Sequence, residues 1–259
     1  MKLGFVGTGT IAAAIIDGLG MAGVEASILV SPRNAEVAAA LAGRHANVRI
    51  AADNQAVVDG SDVIVLAVRP QIAPEVIGQL SFRPDHHVVS LIATVPLDDL
   101  RRMTGGSVSA ITRAVPLPSV ARCQGPTALY PRDRAIEALF GRLGIAVPLE
   151  NEAEFDVFTA ATAVMASYFA FAGTVTGWME RHGTADEAAL AFVAQMLRGL
   201  ATAGPDRSFA TLADEHQTRG GLNEQVVRAI TADGIIAPLD EALDAVLDRI
   251  RGTRALSPD

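Results

Sequence analysis

The chain has 259 residues, half of them hydrophobic, with a formal net charge of −8 and an isoelectric point near 5.1. That length suits one large domain or two smaller ones with a substantial core, and the acidic balance argues against a nucleic-acid or anionic-membrane partner. Cys123 is the single cysteine, which excludes an internal disulfide and a cysteine-cluster metal site, so no metal is expected.

The first predicted element is a strand over Lys2–Val6, which runs straight into Gly7-Thr8-Gly9-Thr10-Ile11-Ala12 and a helix-forming stretch. With the fold starting at Lys2, no signal peptide is expected and a cytoplasmic location is the default. Strand, glycine turn and helix in this order are the context of a dinucleotide fingerprint, here G-x-G-x-x-A. Gly7 permits the tight turn, Gly9 lets a pyrophosphate approach the backbone, and Ala12 lets the helix pack on the strand. Free N–H groups at the helix start would face the phosphates.

A second strand is read over Ser27–Val30. An NAD-specific fold would place an acid near its end, but this chain has Ser31-Pro32-Arg33-Asn34. A hydroxyl and a guanidinium can bind a 2′-phosphate that an acid would repel, so NADP is favoured over NAD. Further strands are expected at Val48–Ile50, Val63–Val68, Val88–Ala93 and Val108–Arg113, with edge strands at Thr127–Tyr130 and Ala146–Leu149. His86 and His87 read as turn residues ahead of the fifth strand. Mostly apolar runs separated by helical stretches predict a doubly wound parallel sheet of the Rossmann type. Ligands of such sheets lie beyond the carboxyl ends of the strands, which draws Gly7, Ser31, Arg69, Ala93 and Pro116 around one crevice.

The character changes near Glu150. No proline occurs between Pro148 and Pro205, and helices are expected over about 152–181, 185–203, 207–215, 221–232 and 238–251. The chain thus reads as a dinucleotide-binding domain over residues 1–150 and an all-α domain over 151–259. Val157–Met179 carries no charge and could span a bilayer by length. Its alanines, threonines and serine fit better a helix buried between protein surfaces.

The order of motifs resembles the pyrroline-5-carboxylate reductases, which reduce a cyclic imine to proline, over essentially the whole length. The resemblance is carried by Gly7–Ala12, Asn54, the Ala67-Val68-Arg69-Pro70-Gln71 turn (usually with lysine before that proline), Arg113-Ala114-Val115-Pro116 and Gly220-Gly221. It implies an NADP-binding domain whose cofactor positions are Gly7, Thr8, Gly9, Thr10, Ile11, Ser31, Arg33, Asn54, Ala67, Val68, Arg69, Pro70 and Ala93. It also implies a helical domain that interlocks with a partner copy in a homodimer. Departures cluster near the substrate. Leu117-Pro118-Ser119-Val120 stands for Asn-Thr-Pro-Ala, Ala163–Tyr168 for Gly-Ser-Gly-Pro-Ala-Tyr, and Thr218-Arg219-Gly220-Gly221-Leu222-Asn223 for Ser-Pro-Gly-Gly-Thr-Thr.

Hydride transfer to a C=N bond asks the protein for orientation and electrostatics, the cofactor carrying the chemistry. Asn223 could donate a hydrogen bond to the imine nitrogen. The N–H groups of Gly220, Gly221 and Leu222 would hold a substrate carboxylate at a helix start. Arg219 is either a grip for a second acidic group or a solvated loop charge, and His216 reads as a structural histidine. Two other functions are weighed. A β-hydroxyacid dehydrogenase depends on a lysine in its helical domain, whereas Lys2 is the only lysine here. A non-catalytic NADP(H) sensor would also keep the fingerprint and rewrite the loop.

Overall fold

The computed structural model describes residues 1–203, 207–232 and 237–252. It divides into two compact units, Met1–Ala160 joined by the chain from Arg249, and Ala161–Asp248.

The first unit is built in βα steps. They are β1 (Lys2–Val6), α1 (Thr10–Met21), β2 (Ser27–Val30), α2 (Ala35–Arg44), β3 (Val48–Ile50), α3 (Asn54–Asp59) and β4 (Val63–Leu66). A 3₁₀ turn (Pro70–Ile72) leads into α4 (Ala73–Gly78), β5 (His87–Ser90), α5 (Leu97–Met103) and β6 (Ala110–Pro116). A second 3₁₀ turn (Pro118–Arg122), β7 (Gly125–Tyr130), α6 (Arg134–Gly141), β8 (Gly144–Pro148) and α7 (Glu152–Ala161) complete it.

The eight strands lie in the order β3-β2-β1-β4-β5-β6-β7-β8. Alternate residues of each strand feed two cores. Leu3 and Phe5 join Val65 and Val89 on the face covered by α1, α2 and α6. Val6 joins Ile64, Leu66 and Val88 on the face covered by α3, α4 and α5. Each such aliphatic or aromatic side chain contributes about 1.5–3 kcal/mol on burial, and this two-sided covering is what lets an all-apolar parallel strand exist. Helix starts follow local chemistry: Asn34, Asp53 and Asp133 cap α2, α3 and α6 by accepting first-turn amide hydrogens.

The sheet departs from the expected uniform direction at one edge. β7 pairs antiparallel with β6, and β8 then runs parallel to β7. The eight residues between β6 and β7 (117–124) fall short of the dozen or so a parallel crossover needs. β6 also begins and ends later than expected, at Ala110 and Pro116, which moves Arg113 from a strand end into its interior.

The second unit consists of α8 (Met165–Arg181), α9 (Asp186–Ala201), α10 (Phe209–Glu215), α11 (Leu222–Ala232) and α12 (Ala237–Ile250), the last crossing back into the first unit. The single helix expected over 152–181 is α7 and α8 joined by a 3₁₀ turn at Thr162–Val164. Just ahead, the Thr159 hydroxyl donates to the Phe155 carbonyl at 2.8 Å, a bond that competes with the regular ladder. α7 itself packs with the sheet through Phe155, Ala128 and Leu149. By length and composition alone Glu152–Arg181 could cross a membrane. The expectation of a buried helix does not hold within this chain: no residue of α8 is buried, and Phe169 is 70% exposed.

His86 precedes β5 and is buried; His87 is the first residue of that strand rather than part of the turn. Arg83 N–H donates to His86 Nδ1 at 3.1 Å, while Nε2 has no partner. Burial first, and the Arg83 charge second, hold the His86 pKa below its ordinary 6.5. The unfolded chain therefore takes up this proton more readily. Stability from the neutral ring is complete above that ordinary value and is lost as pH falls through it. His86→Asn keeps an acceptor for Arg83 without the titration, so its melting temperature should fall less than the wild type's when pH is lowered from about 7.5 to about 5.5.

Candidate active site

The turn after β1 is locked from three sides. Gly7 has φ +101°, and a Cβ built there would lie 2.5 Å from the Ala67 carbonyl oxygen, so only glycine fits between the ends of β1 and β4. Gly7 N–H donates to Ser31 Oγ at 2.9 Å, and Thr8 Oγ1 donates to the Ser31 carbonyl at 2.9 Å. Asn34 Nδ2 donates to the Thr8 carbonyl at 3.2 Å.

Ser31 has a second part in this turn: it is 1% exposed, and its hydroxyl accepts from the Gly7 amide while keeping its own hydrogen to donate. Arg33 is exposed and has no hydrogen-bond or ionic partner among the described residues, which leaves its guanidinium open.

Gly9 is the N-cap of α1 in an extended conformation, and a Cβ there would meet nothing within 4 Å. The protein itself thus gives no packing reason for glycine at this position. α1 starts without a side-chain cap or a first-turn acid, and its first backbone bond runs from Ala13 to Gly9. The amides of Thr10, Ile11 and Ala12 are left for an anion. Open backbone, unpaired amides and an unpaired arginine fit a phosphorylated dinucleotide.

The strand order reverses between β1 and β4, and the remaining candidates follow the carboxyl ends of β3, β4 and β5. Ala67 and Val68 are half-buried just past β4, while Arg69 and Pro70 are exposed at the next turn. Asn54, half-buried, opens α3. Ala93 lies past β5, where its carbonyl accepts from Arg113 Nη2 at 2.7 Å. Arg113 was not singled out for the site. The signal was a charge at the end of an apolar run, which must be paired if buried.

The expected substrate residues lie in the second unit, around the start of α11. Two of the amides expected to be open are taken within the loop. Gly220 N–H donates to Glu224 Oε2 at 2.5 Å, and Gly221 N–H donates to the Thr218 carbonyl at 2.7 Å. Glu224, three residues into the helix, reaches back as capping-box acids do. Its carboxyl is held below the usual carboxylate range, first by the Gly220 N–H and next by Arg228. The amides of Leu222, Asn223 and Glu224 have no backbone acceptor among the described residues. Asn223 Nδ2 donates to the His216 carbonyl at 2.8 Å, leaving one amide hydrogen and its oxygen. Thr218 and Arg219 are exposed. Among the described residues, no cluster of three or more His, Cys, Asp or Glu is placed to hold a metal ion.

Two family models match the chain. Residues 2–94 match one described as NADP oxidoreductase coenzyme F420-dependent, and residues 152–253 match pyrroline-5-carboxylate reductase dimerisation. The pyrroline-5-carboxylate reductase of Pseudomonas aeruginosa is 29% identical, over 96% of this chain and 95% of that one. Residues 152–253 thus carry a pyrroline-5-carboxylate reductase dimerisation domain, and the likeness to such reductases runs over nearly the whole chain. The fold agrees: a 1-pyrroline-5-carboxylate reductase structure from Streptococcus pyogenes superposes with a TM-score of 0.85 at 24% identity, covering 97% of this chain and 98% of that one. The Plasmodium falciparum pyrroline carboxylate reductase structure, with NADP bound, gives a TM-score of 0.83 at 18% identity, covering 97% of each chain.

The different surroundings of Ser31 and Arg33 separate their roles by experiment. Ser31→Ala strands a part-buried Gly7 N–H and should lower stability by about 1–2 kcal/mol in denaturant titrations, with the ratio of NADPH to NADH affinity unchanged. Arg33→Ala should leave stability alone and reduce that ratio about tenfold or more in binding titrations.

Proposed function

We propose that the protein is an NADP(H)-dependent reductase of the C=N bond of a small cyclic imino acid, pyrroline-5-carboxylate to proline being the reaction that its likeness to pyrroline-5-carboxylate reductases favours. The observation that carries the cofactor half is Gly9, whose open side and neighbouring unpaired amides leave room for a pyrophosphate at the start of α1. The Gly7 turn, Thr10 and Ile11 amides would hold that group, and Arg33 would hold a 2′-phosphate. Asn54, Ala67, Val68, Arg69, Pro70 and Ala93 would line the remaining crevice. When bound, NADPH supplies the hydride that the imine carbon accepts.

The chain's own work is to bind and polarise the imine. A hydrogen-bond donor at the imine nitrogen draws electrons from the adjacent carbon, and Asn223 retains one amide hydrogen for it. A substrate carboxylate would meet the positive start of α11, at the amides of Leu222 and Asn223, with Arg219 beside it. Gly220 and Gly221 shape this loop, and Thr218 anchors it by accepting from Gly221.

The domain roles follow: residues 1–150 for the cofactor and 151–259 for substrate and self-association. Phe169, Phe171 and Trp178 on α8 and Leu190 and Phe192 on α9 are more than half exposed in the single chain. A cytoplasmic homodimer that covers this apolar face accounts for them, and for an uncharged stretch without a membrane.

The test is oxidation of NADPH by the purified protein with pyrroline-5-carboxylate, with NADH in parallel. Turnover preferring NADPH is expected. NADPH binding without turnover on any cyclic imine would leave a sensor. Asn223→Ala should lower kcat/KM for the imine by about 10–100-fold, with NADPH affinity unchanged, and Asn223→Thr should recover most of it. An unimpaired Asn223→Ala enzyme would remove Asn223 from the mechanism.

A further inference from the structure

Arg113 is 2% exposed, the bulkiest fully buried side chain among the described residues. Its Nη1 donates to Glu152 Oε1 at 2.6 Å, its Nη2 donates to the Ala93 carbonyl at 2.7 Å, and its guanidinium carbon lies 4.3 Å from the centre of the Phe155 ring. Glu152 Oε1 also accepts the Leu97 amide hydrogen, at 2.7 Å. One ion pair therefore holds the connection between β5 and α5 at two points, the Ala93 carbonyl within the loop and the Leu97 amide where α5 begins. The cation, which can only donate, meets the loop's carbonyl, and the carboxylate, which can only accept, meets its amide. An ion pair serving only to fix α7 to the sheet would have no need of either loop group. Asp156 Oδ1, 3.5 Å from Arg113 Nη1, does serve that end: its other oxygen faces Arg251 at 3.8 Å, and it touches no group of the loop.

We infer that Arg113, clamped to Glu152, is a positioning residue that sets the Ala93–Leu97 rim of the crevice for the reactive end of the bound dinucleotide. The inference rests on the NADP(H) reading. In that reading the 2′-phosphate end lies with Arg33 past β2, on one side of the β1/β4 switch, so the other half extends toward β5 and β6. Arg113 pairs opposite Ser90 at the end of β5, on that side. A buried arginine fork is preorganised for two acceptors at once, whereas a lysine ammonium in its place reaches only one of them at good geometry.

The test uses Arg113→Lys and Asp156→Asn in the full chain. It measures affinity for NADPH, affinity for 2′-phosphoadenosine diphosphate ribose (which lacks the nicotinamide) and hydrogen exchange at the Leu97 amide. Arg113→Lys should weaken NADPH about tenfold, leave the truncated ligand within about twofold, and speed exchange at Leu97. Asp156→Asn should lower the melting temperature and change neither affinity. Glu152→Gln, which keeps an acceptor for Leu97 without the charge facing Arg113, should shift NADPH affinity the same way by less, and carries the test if the lysine variant does not fold. Wild-type NADPH affinity in a folded Arg113→Lys protein, or equal weakening of both ligands, would overturn the inference. If the wild type binds neither ligand, the cofactor reading falls. Leu97 exchange then decides whether the clamp exists, and an unchanged rate would end it.

Discussion

Everything at the crevice depends on a contact that leaves no space for a side chain. At the exit of β1 the backbone turns with φ +101° while pressed on the Ala67 carbonyl, and the turn's amide is anchored on Ser31. This couples the ends of β1, β2 and β4. The next step follows from the helix that begins three residues on, at Thr10. Its first amides have no partner among the described residues, and their dipoles add, so the point where the strand order reverses is also a point of positive potential. A bulkier residue at Gly7 would push β1 from β4 and displace the start of α1 with it.

The same sheet carries a buried charge, which calls for a compensating arrangement. A guanidinium out of water is tolerable only when its hydrogen-bonding groups are met by acceptors. Arg113 finds Glu152, Ala93 and the Phe155 ring, and leaves only its Nε without a partner. α7 is held to the sheet by that pairing and by the Phe155 contacts. The first compact unit therefore takes in the chain up to Ala160.

The helical unit shows the opposite balance. In the first unit nearly every large apolar side chain is covered by a helix or by the sheet; in α8 and α9 several are not. Exposed aromatic surface of this kind is favoured only where another surface removes it from water. The uncharged stretch Val157–Met179 thus carries apolar side chains, Phe169 and Trp178 among them, that the described residues leave more than half exposed.

Much of the fold was legible in the residues alone, because local rules decided it. Short apolar runs between helical stretches indicate buried parallel strands, Gly-x-Gly-x-x-Ala between strand and helix indicates a phosphate turn, and missing acids after Val30 indicate the 2′-phosphate preference. The antiparallel β6–β7 pair was implicit in an eight-residue connection, but only if the end of β6 was known. Partners distant in sequence were not legible. The hold of Ser31 on Gly7, twenty-four residues away, appears only in the fold. Arg113 could be read as a strand-end charge until it met Glu152, thirty-nine residues on. The Gly220 amide could be read as open until Glu224 was found upon it. Composition and spacing decide which groups a chain possesses and which local shapes they favour. Which polar groups remain free for a ligand is what is left after the tertiary structure has paired the others, and only the folded chain makes those pairings.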